Sequence, residues 1–379
     1  MSDALANMTP EQLAAIPAAV PPPGVQSNLI DPPSKGPVLI IVGAVFVGIM
    51  MIFSGMRFYF KAIVRRKMTP DDWTTLAAVI GTFWYYGICV HAVTKAKFGT
   101  HMWDISVAET LSDDFLIASF FTNWPTGLVW AFAKTSFFLM YLQIFSPLTW
   151  LRVSVYIGLF LNWGFYTAVI AASIYYQVPN PGQTWQQGFM NERYTRSFNM
   201  TIPIASGSLF LDTYIFVLPL IAVSNMHLTL AKKLGVIAVF ATGLAACVAS
   251  SLSIYFKHVL GNNLTDYTYW IYPVLLMALL EMCIGISCSC MPSATGFFKS
   301  TFGGCGTWGT STLGFFRSLL PYGSKHSNTS GVSSGSWKNS SPHSTQKNQY
   351  IDIEMEQQLT QGAPYEHSRE HSRRGSSVA

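Results

Sequence analysis

The chain has 379 residues, of which 50% are apolar or aromatic and only 11% charged; 23 Lys and Arg against 18 Asp and Glu leave a net charge of +5. Ordinary soluble domains carry about 25% charged residues, so this composition excludes a large soluble enzyme, whose surface so few ions could not cover. An aromatic content of 14% also excludes a wholly disordered chain.

Residues 1–36 are rich in Ala and Pro and hold no basic segment followed by an apolar one. No cleavable signal is expected there, so the first apolar stretch has to direct the chain to a membrane. Seven such stretches follow: Pro37–Phe60, Trp73–Val93, Phe115–Phe145, Val153–Tyr176, Met200–Val223, Leu234–Lys257 and Trp270–Cys290. Each reaches the roughly 20 residues that a helix needs to cross about 30 Å of hydrocarbon. A helix satisfies every backbone group within one segment, and these runs are too long and too uniformly apolar for barrel strands. The expected fold is all-α, a seven-helix bundle over residues 37–290, with Pro125 kinking or dividing the third stretch. Residues 1–36 form an extracytosolic tail and residues 291–379 a cytosolic one. Up to about residue 323 the latter is Gly- and Phe-rich and suited to lie on a bilayer; from Ser324 its polar composition predicts disorder.

Orientation follows from the basic residues of the short loops. The densest cluster, Lys61, Arg65, Arg66 and Lys67, follows the first stretch, which places the N-terminus outside and the C-terminus in the cytosol of a plasma membrane. Arg65, Arg66 and Lys67 are candidates for docking a cytosolic signalling protein or for attracting anionic headgroups. Asn7, Asn199 and Asn263 lie in sequons on the outer side and are glycosylation candidates; Asn328 and Asn339 match the pattern inside and are expected to stay unmodified. Ser376, after Arg373-Arg374, is a phosphorylation candidate.

Thr69-Pro70-Asp71-Asp72-Trp73 reads as a well-made helix start, with a capping hydroxyl, an early Pro and acidic residues at the positive end. None of the six cysteines falls in an expected outer loop, so no outer disulfide is expected. Cys288 and Cys290, at the end of the seventh stretch, read as palmitoylation sites or as small packing residues. No zinc-ligand spacing, nucleophile elbow or phosphate loop occurs. No enzymatic activity, cofactor, metal or nucleic-acid partner is expected.

Three charges lie inside the apolar stretches: Lys134, Asp212 and Glu281. At about 1.5 Å per residue they sit about 14–17 Å from the inner ends of their helices. Each alone at mid-membrane costs about 2.5–3.5 kcal/mol, and such residues commonly mark function. Clustered, Lys134 neutralises one carboxylate. Two readings stand: a structural pair that fixes helix register, or a ligand, ion or switch site. Pro219, two turns beyond Asp212, can loosen backbone bonds there. Lys257 marks the edge of the sixth stretch. His101, in Phe98-Gly99-Thr100-His101, is either a solvated interfacial side chain or a lid over the bundle's outer mouth.

Several of these marks resemble the fungal "rhodopsin domain" seven-helix integral membrane proteins, a group that includes receptor-like members. They are Arg57-Phe-Tyr-Phe-Lys61, Thr69-Pro-Asp-Asp-Trp73, Gly99-Thr-His101, Lys134-Thr-Ser136, Tyr141-Leu-Gln-Ile-Phe145, Trp185, Asp212, Pro219, and Glu281 before Pro292. The chain departs from that pattern at Gln143, where an Arg is usual, and at Gln177, where a Cys is common; no second Cys follows Trp185, so the loop disulfide is lost. It also lacks a Cys-rich module before the first helix. The resemblance implies topology rather than light sensing, since the seventh stretch has no Lys for retinal. It implies a receptor-like protein with an extracellular small ligand. A proton-coupled or small-solute transporter using the same charges, and a membrane scaffold, are the alternatives.

Overall fold

In the computed structural model of the chain, residues 8–145, 148–224 and 230–302 are described, without the side chains of 223–242 and 295–302. Asn7, Asn328, Asn339, Ser376 and Cys305 lie outside the described residues, as does the expected polar tail.

The described residues are helical, with no strand among them. A short helix α1 (Pro10–Ala15) precedes α2 (Gly36–Tyr59), which continues as a wider π turn over Phe60–Val64. Then come α3 (Pro70–Thr94), the single turn α4 (Val107–Thr110), α5 (Asp113–Phe121), α6 (Thr126–Ile144) and α7 (Thr149–Gln177). Two short helices, α8 (Trp185–Phe189) and α9 (Glu192–Ser197), lead into α10 (Thr201–Ser224), α11 (Leu230–Asn262) and α12 (Tyr267–Phe302). Seven helical spans are long and apolar enough to cross a membrane: α2, α3, α5 with α6, α7, α9 with α10, α11 and α12. The expected break at Pro125 is present, since α5 stops at Phe121 and α6 resumes at Thr126.

The spans bury narrow stripes and leave the rest of their apolar surface outward, as helices in lipid do. In α2 the buried positions are Gly36, Leu39, Gly43, Val47, Met50, Ser54 and Arg57, spaced three or four apart. Ile41, Val45, Ile49 and Ile52 of the same helix are exposed. The last span is the hub: 72% of its apolar 18-residue centre is buried, against 22% for α7. Leu275, Leu279, Met282 and Ile286 of α12 pack with Leu39 and Met50 of α2 and Tyr85 and Cys89 of α3.

One end of the bundle gathers residues 8–35, the 95–112 segment, α8, α9 and the 263–266 turn; it is called the N-terminal face below. Its centre is a backbone junction at Gly99. Lys35 donates its N–H to Gly99 O at 2.8 Å, and Gly99 donates to Thr268 O at 2.8 Å. Gly99 has φ of +99°, and a Cβ there would lie 2.4 Å from the Gly36 nitrogen. Only glycine meets both conditions. Residues 8–35 are further tied down by Ala18 N–H to Ile105 O at 2.8 Å and Asn28 N–H to Asp104 Oδ1 at 2.8 Å.

Two expectations change. Helix α12 runs on past Cys290 to Phe302, so Cys288 and Cys290 stand inside the bundle at 3% and 0% exposure rather than at a lipid edge. They are packing residues, and a palmitoyl chain has no access. Lys61 does not belong to the exposed basic loop: it lies in the π turn and bonds inward.

Candidate functional site

The three intramembrane charges meet, and a serine joins them. Lys134 of α6 places Nζ 2.7 Å from Asp212 Oδ1 of α10. Its other two protons go to Ser208 O at 2.9 Å and Ser208 Oγ at 3.0 Å. All three donors of the ammonium are thereby used. Ser208 in turn donates to Glu281 Oε1 of α12 at 3.2 Å. Tyr166 OH of α7 lies 3.0 Å from the same hydroxyl. The single Ser208 proton is committed to Glu281, so Tyr166 is the donor in that contact. Asp212 also accepts from Ser250 of α11 at 2.8 Å. Helices α6, α7, α10, α11 and α12 therefore converge on one network, in which Lys134 and Glu281 are 4% and 7% exposed.

Ser208 was not singled out in the sequence. It stands four residues before Asp212, on the same face of α10, and that spacing was the available signal. A serine in an apolar helix gives no other warning.

A second charged network closes the opposite end of the bundle. Arg57 of α2 donates from Nε to Asp72 Oδ1 at 3.0 Å, from one guanidinium nitrogen to Asp71 Oδ2, and from the other to Ser289 O of α12 at 2.6 Å. Lys61 adds bonds of 2.8 Å to Asp71 Oδ2 and to Thr69 Oγ1. Gln143, near the end of α6, donates to Asp71 Oδ1 at 2.5 Å. Arg57, Asp71 and Asp72 are at most 1% exposed. The helix-start reading of Thr69-Pro70-Asp71-Asp72 holds in part, since Asp72 Oδ2 accepts the Thr69 N–H at 2.8 Å. The larger role is an ion-pair knot tying α2, α3, α6 and α12. The i, i+4 spacing of Arg57 and Lys61, facing two adjacent carboxylates across a short turn, was its signal.

Beyond this knot, Arg65, Arg66 and Lys67 are exposed in the turn between α2 and α3. Arg65 lies over the Phe60 ring at 5.3 Å, and Arg66 takes a positive φ of 49°.

Above the central network, toward the N-terminal face, is a cavity of about 110 Å³. Trp130, Gln177, Tyr194, Phe198, Lys257 and Tyr267 line it, among others. Helices α8 and α9 cover this end through aromatic packing: Phe115 against Phe189 at 5.6 Å, and Phe189 against Tyr194 at 4.5 Å. These contacts hold the cover without a disulfide, since none of the described cysteines forms one. A smaller cavity of about 10 Å³, lined by Ser208, Lys257 and Glu281 among others, lies next to the network. That is room for about one water. Lys257 is thus not a mere helix edge, because α11 continues to Asn262 and turns this lysine inward.

His101 stands apart from the charges. Its Nδ1 is 2.7 Å from Asp266 Oδ2, and its ring stacks between Trp103 at 4.2 Å and Tyr269 at 3.9 Å. It fastens the N-terminal face and does not line the cavity. Asn199 is exposed on that face, whereas Asn263 is half-buried and donates to Val259 O at 2.8 Å. Among the described residues no group of His, Cys, Asp or Glu could hold a metal ion.

Comparison with known proteins agrees with this architecture. A SAT4 family membrane protein of Emericella nidulans is 30% identical over 177 residues, covering 45% of this chain and 42% of that protein. Fugralins biosynthesis cluster protein 2 of Gibberella zeae is 24% identical over 291 residues, covering 75% of this chain and 71% of that protein. The chain thus spans less than half the length of the first relative. No solved structure matches it. The pattern described as the fungal rhodopsin domain matches residues 56–300, from just before the Arg57 knot through nearly all of α12. With seven apolar helices over the same region, the chain is a multi-pass membrane protein belonging to the fungal rhodopsin domain family.

Proposed function

We propose that the protein is a receptor-like sensor, oriented with its N-terminal face outside the plasma membrane. A small extracellular ligand enters the cavity beneath α8 and α9. Its contacts shift the Lys134–Asp212–Ser208–Glu281 network and, through α6 and α12, the Arg57 knot. The exposed Arg65, Arg66 and Lys67 then engage a cytosolic signalling protein. The observation that carries this reading is the stacking of three layers along one axis: a cavity, a network joining five helices, and an ion-pair knot sharing α6 and α12 with it. A ligand acts only through a difference in affinity between two states, and two bonded networks sharing two helices supply discrete arrangements to choose between.

The test is guanine-nucleotide exchange on co-expressed G-protein subunits, with surface-expressed protein and fractions of extracellular medium. Ligand-dependent exchange that disappears when Arg65, Arg66 and Lys67 are replaced by Ser supports the reading. Its absence from a surface-expressed protein contradicts it.

A transporter is the second reading, favoured by one observation: the one-water cavity beside Glu281 shares Trp130, Ile204 and Lys257 with the lining of the larger cavity. A pH-coupled flux in reconstituted vesicles, abolished by Glu281→Gln, would favour it. The name of the second relative ties that protein to a biosynthesis cluster, a setting in which sensing or moving a small organic molecule is useful.

A further inference from the structure

We infer that the cavity beneath α8 and α9 is a binding site for a small organic carboxylate, with Lys257 as its charge anchor. The inference rests on the sensor reading for its consequence, but not for its chemistry.

The charge of the lining is the first argument. Lys257 is the one ionised side chain among the residues around this cavity; the rest are aromatic, aliphatic, hydroxyl or amide groups. Among the described residues no carboxylate lies within ion-pair distance of Lys257, and its Nζ instead rests over the Trp130 ring at 5.8 Å. Such a contact recovers far less than an ammonium loses on leaving water. The two buried cations are differently placed. Lys134 is saturated by Asp212 and Ser208, and Arg57 by Asp71, Asp72 and Ser289. Glu281 is the charge neighbour of Lys257 across the smaller cavity, but it is bonded through Oε1 to Ser208 and lies beyond ion-pair distance. An anion in direct contact is what this ammonium lacks.

Unspent polar groups are the second argument. Gln177 is 6% exposed, and both its amide nitrogen and its amide oxygen lack a partner. The Trp130 Nε1–H is likewise buried without an acceptor. Buried polar atoms are nearly always bonded, and exceptions call for an explanation. Both side chains flank the cavity, but their polar atoms are closed off from its free space, so they meet a ligand only by turning toward it.

Size and polarity set the class. About 110 Å³ is below the roughly 150 Å³ of an engineered cavity that admits benzene. Ile271, Val274, Leu275 and Ala278 of α12 form an apolar floor. A short-chain acid fits, whereas an aromatic acid, a sugar, a nucleotide or a peptide is too large or too polar.

The experiment uses the full chain in lipid nanodiscs, with radiolabelled acetate and butyrate as probes and butyramide and butylammonium as competitors. At least one acid should bind saturably, and neither competitor should displace it. Lys257→Met should weaken binding at least tenfold and Lys257→Arg should retain it, while Gln177→Ala should weaken it several-fold. Each variant's thermal unfolding without probe reports whether it folds, and Lys257→Arg guards against a loss that is merely structural. Absence of saturable binding by both acids, equal displacement by butyramide, or an unchanged affinity in a folded Lys257→Met protein would overturn the inference. Binding is read without signalling, so the two readings fail separately. Nucleotide exchange driven by a neutral compound, with no acid bound, would leave the sensor standing and remove the carboxylate site. Acid binding with no exchange would do the reverse.

Discussion

At the scale of single residues, Ser208 is the least conspicuous member of the central network and the one on which its geometry turns. It accepts from Lys134 and Tyr166 and donates to Glu281. Removing one partner from a buried pair leaves an uncompensated charge, at about 3–5 kcal/mol, whereas replacing both by apolar groups is often neutral or stabilising. Lys134→Met should therefore lower stability by about that amount, and Lys134→Met with Asp212→Leu should recover most of it. Thermal unfolding in detergent of the four members of the cycle measures the coupling. Additive losses would mean that the 2.7 Å contact contributes little. A different residue carries a pH dependence. In Glu109, outside the membrane spans, burial pushes the carboxyl up. The hydrogen bond and charge of Lys97, with the Ser106 bonds, outweigh this and hold it below the usual glutamate range. A folded-state value below the unfolded one gives stability that is full above the ordinary glutamate range and lost as pH falls through the lowered value. The acid limb of a pH–stability curve should thus flatten in Glu109→Gln; an unchanged limb would assign the acid sensitivity elsewhere. The pair is exposed, so the effect is small.

At the scale of elements, the spans were legible and their ends were not. All seven apolar stretches correspond to helices, because covering about 30 Å of hydrocarbon leaves a continuous apolar record. The ends shift where polar residues continue a helix: α11 runs five residues beyond Lys257, and α12 runs twelve beyond Cys290. Those shifts changed the meaning of particular residues, bringing Lys257 to the cavity wall and sealing Cys288 and Cys290 inside. The three intramembrane charges could be placed together by counting depth. The Arg57 knot could not, since capping alone sufficed to explain Asp71 and Asp72, and Ser208 left no trace in composition. The role of Gly99 was also hidden, because three segments far apart in sequence meet there. Gly99→Ala should cost about 1–3 kcal/mol for its φ of +99° alone, and more for the close approach to Gly36. Gly48→Ala in α2, where no atom lies within 4 Å, should instead gain about 0.5–1 kcal/mol. Comparable losses from the two substitutions would show that Gly99 is an ordinary glycine.

For the whole molecule, the charges that the composition lacks are distributed with a pattern. Most described ions sit at the two ends, while those within the spans, Lys257 apart, form two networks that share α6 and α12. The central claim is that these networks act as one device, so that disturbing the middle of the bundle moves the end bearing Arg65, Arg66 and Lys67. The most direct test is a distance measurement by paired spin labels at positions 66 and 217, both exposed, in nanodiscs. The comparison is between the otherwise native protein and Lys134→Met, with Ser154→Ala, outside both networks, as control. Coupling predicts that Lys134→Met broadens or lengthens the distance by several ångströms while the control leaves it unchanged. A distribution in Lys134→Met that overlays the native one would contradict it, and would leave the two networks as separate fasteners of a static bundle.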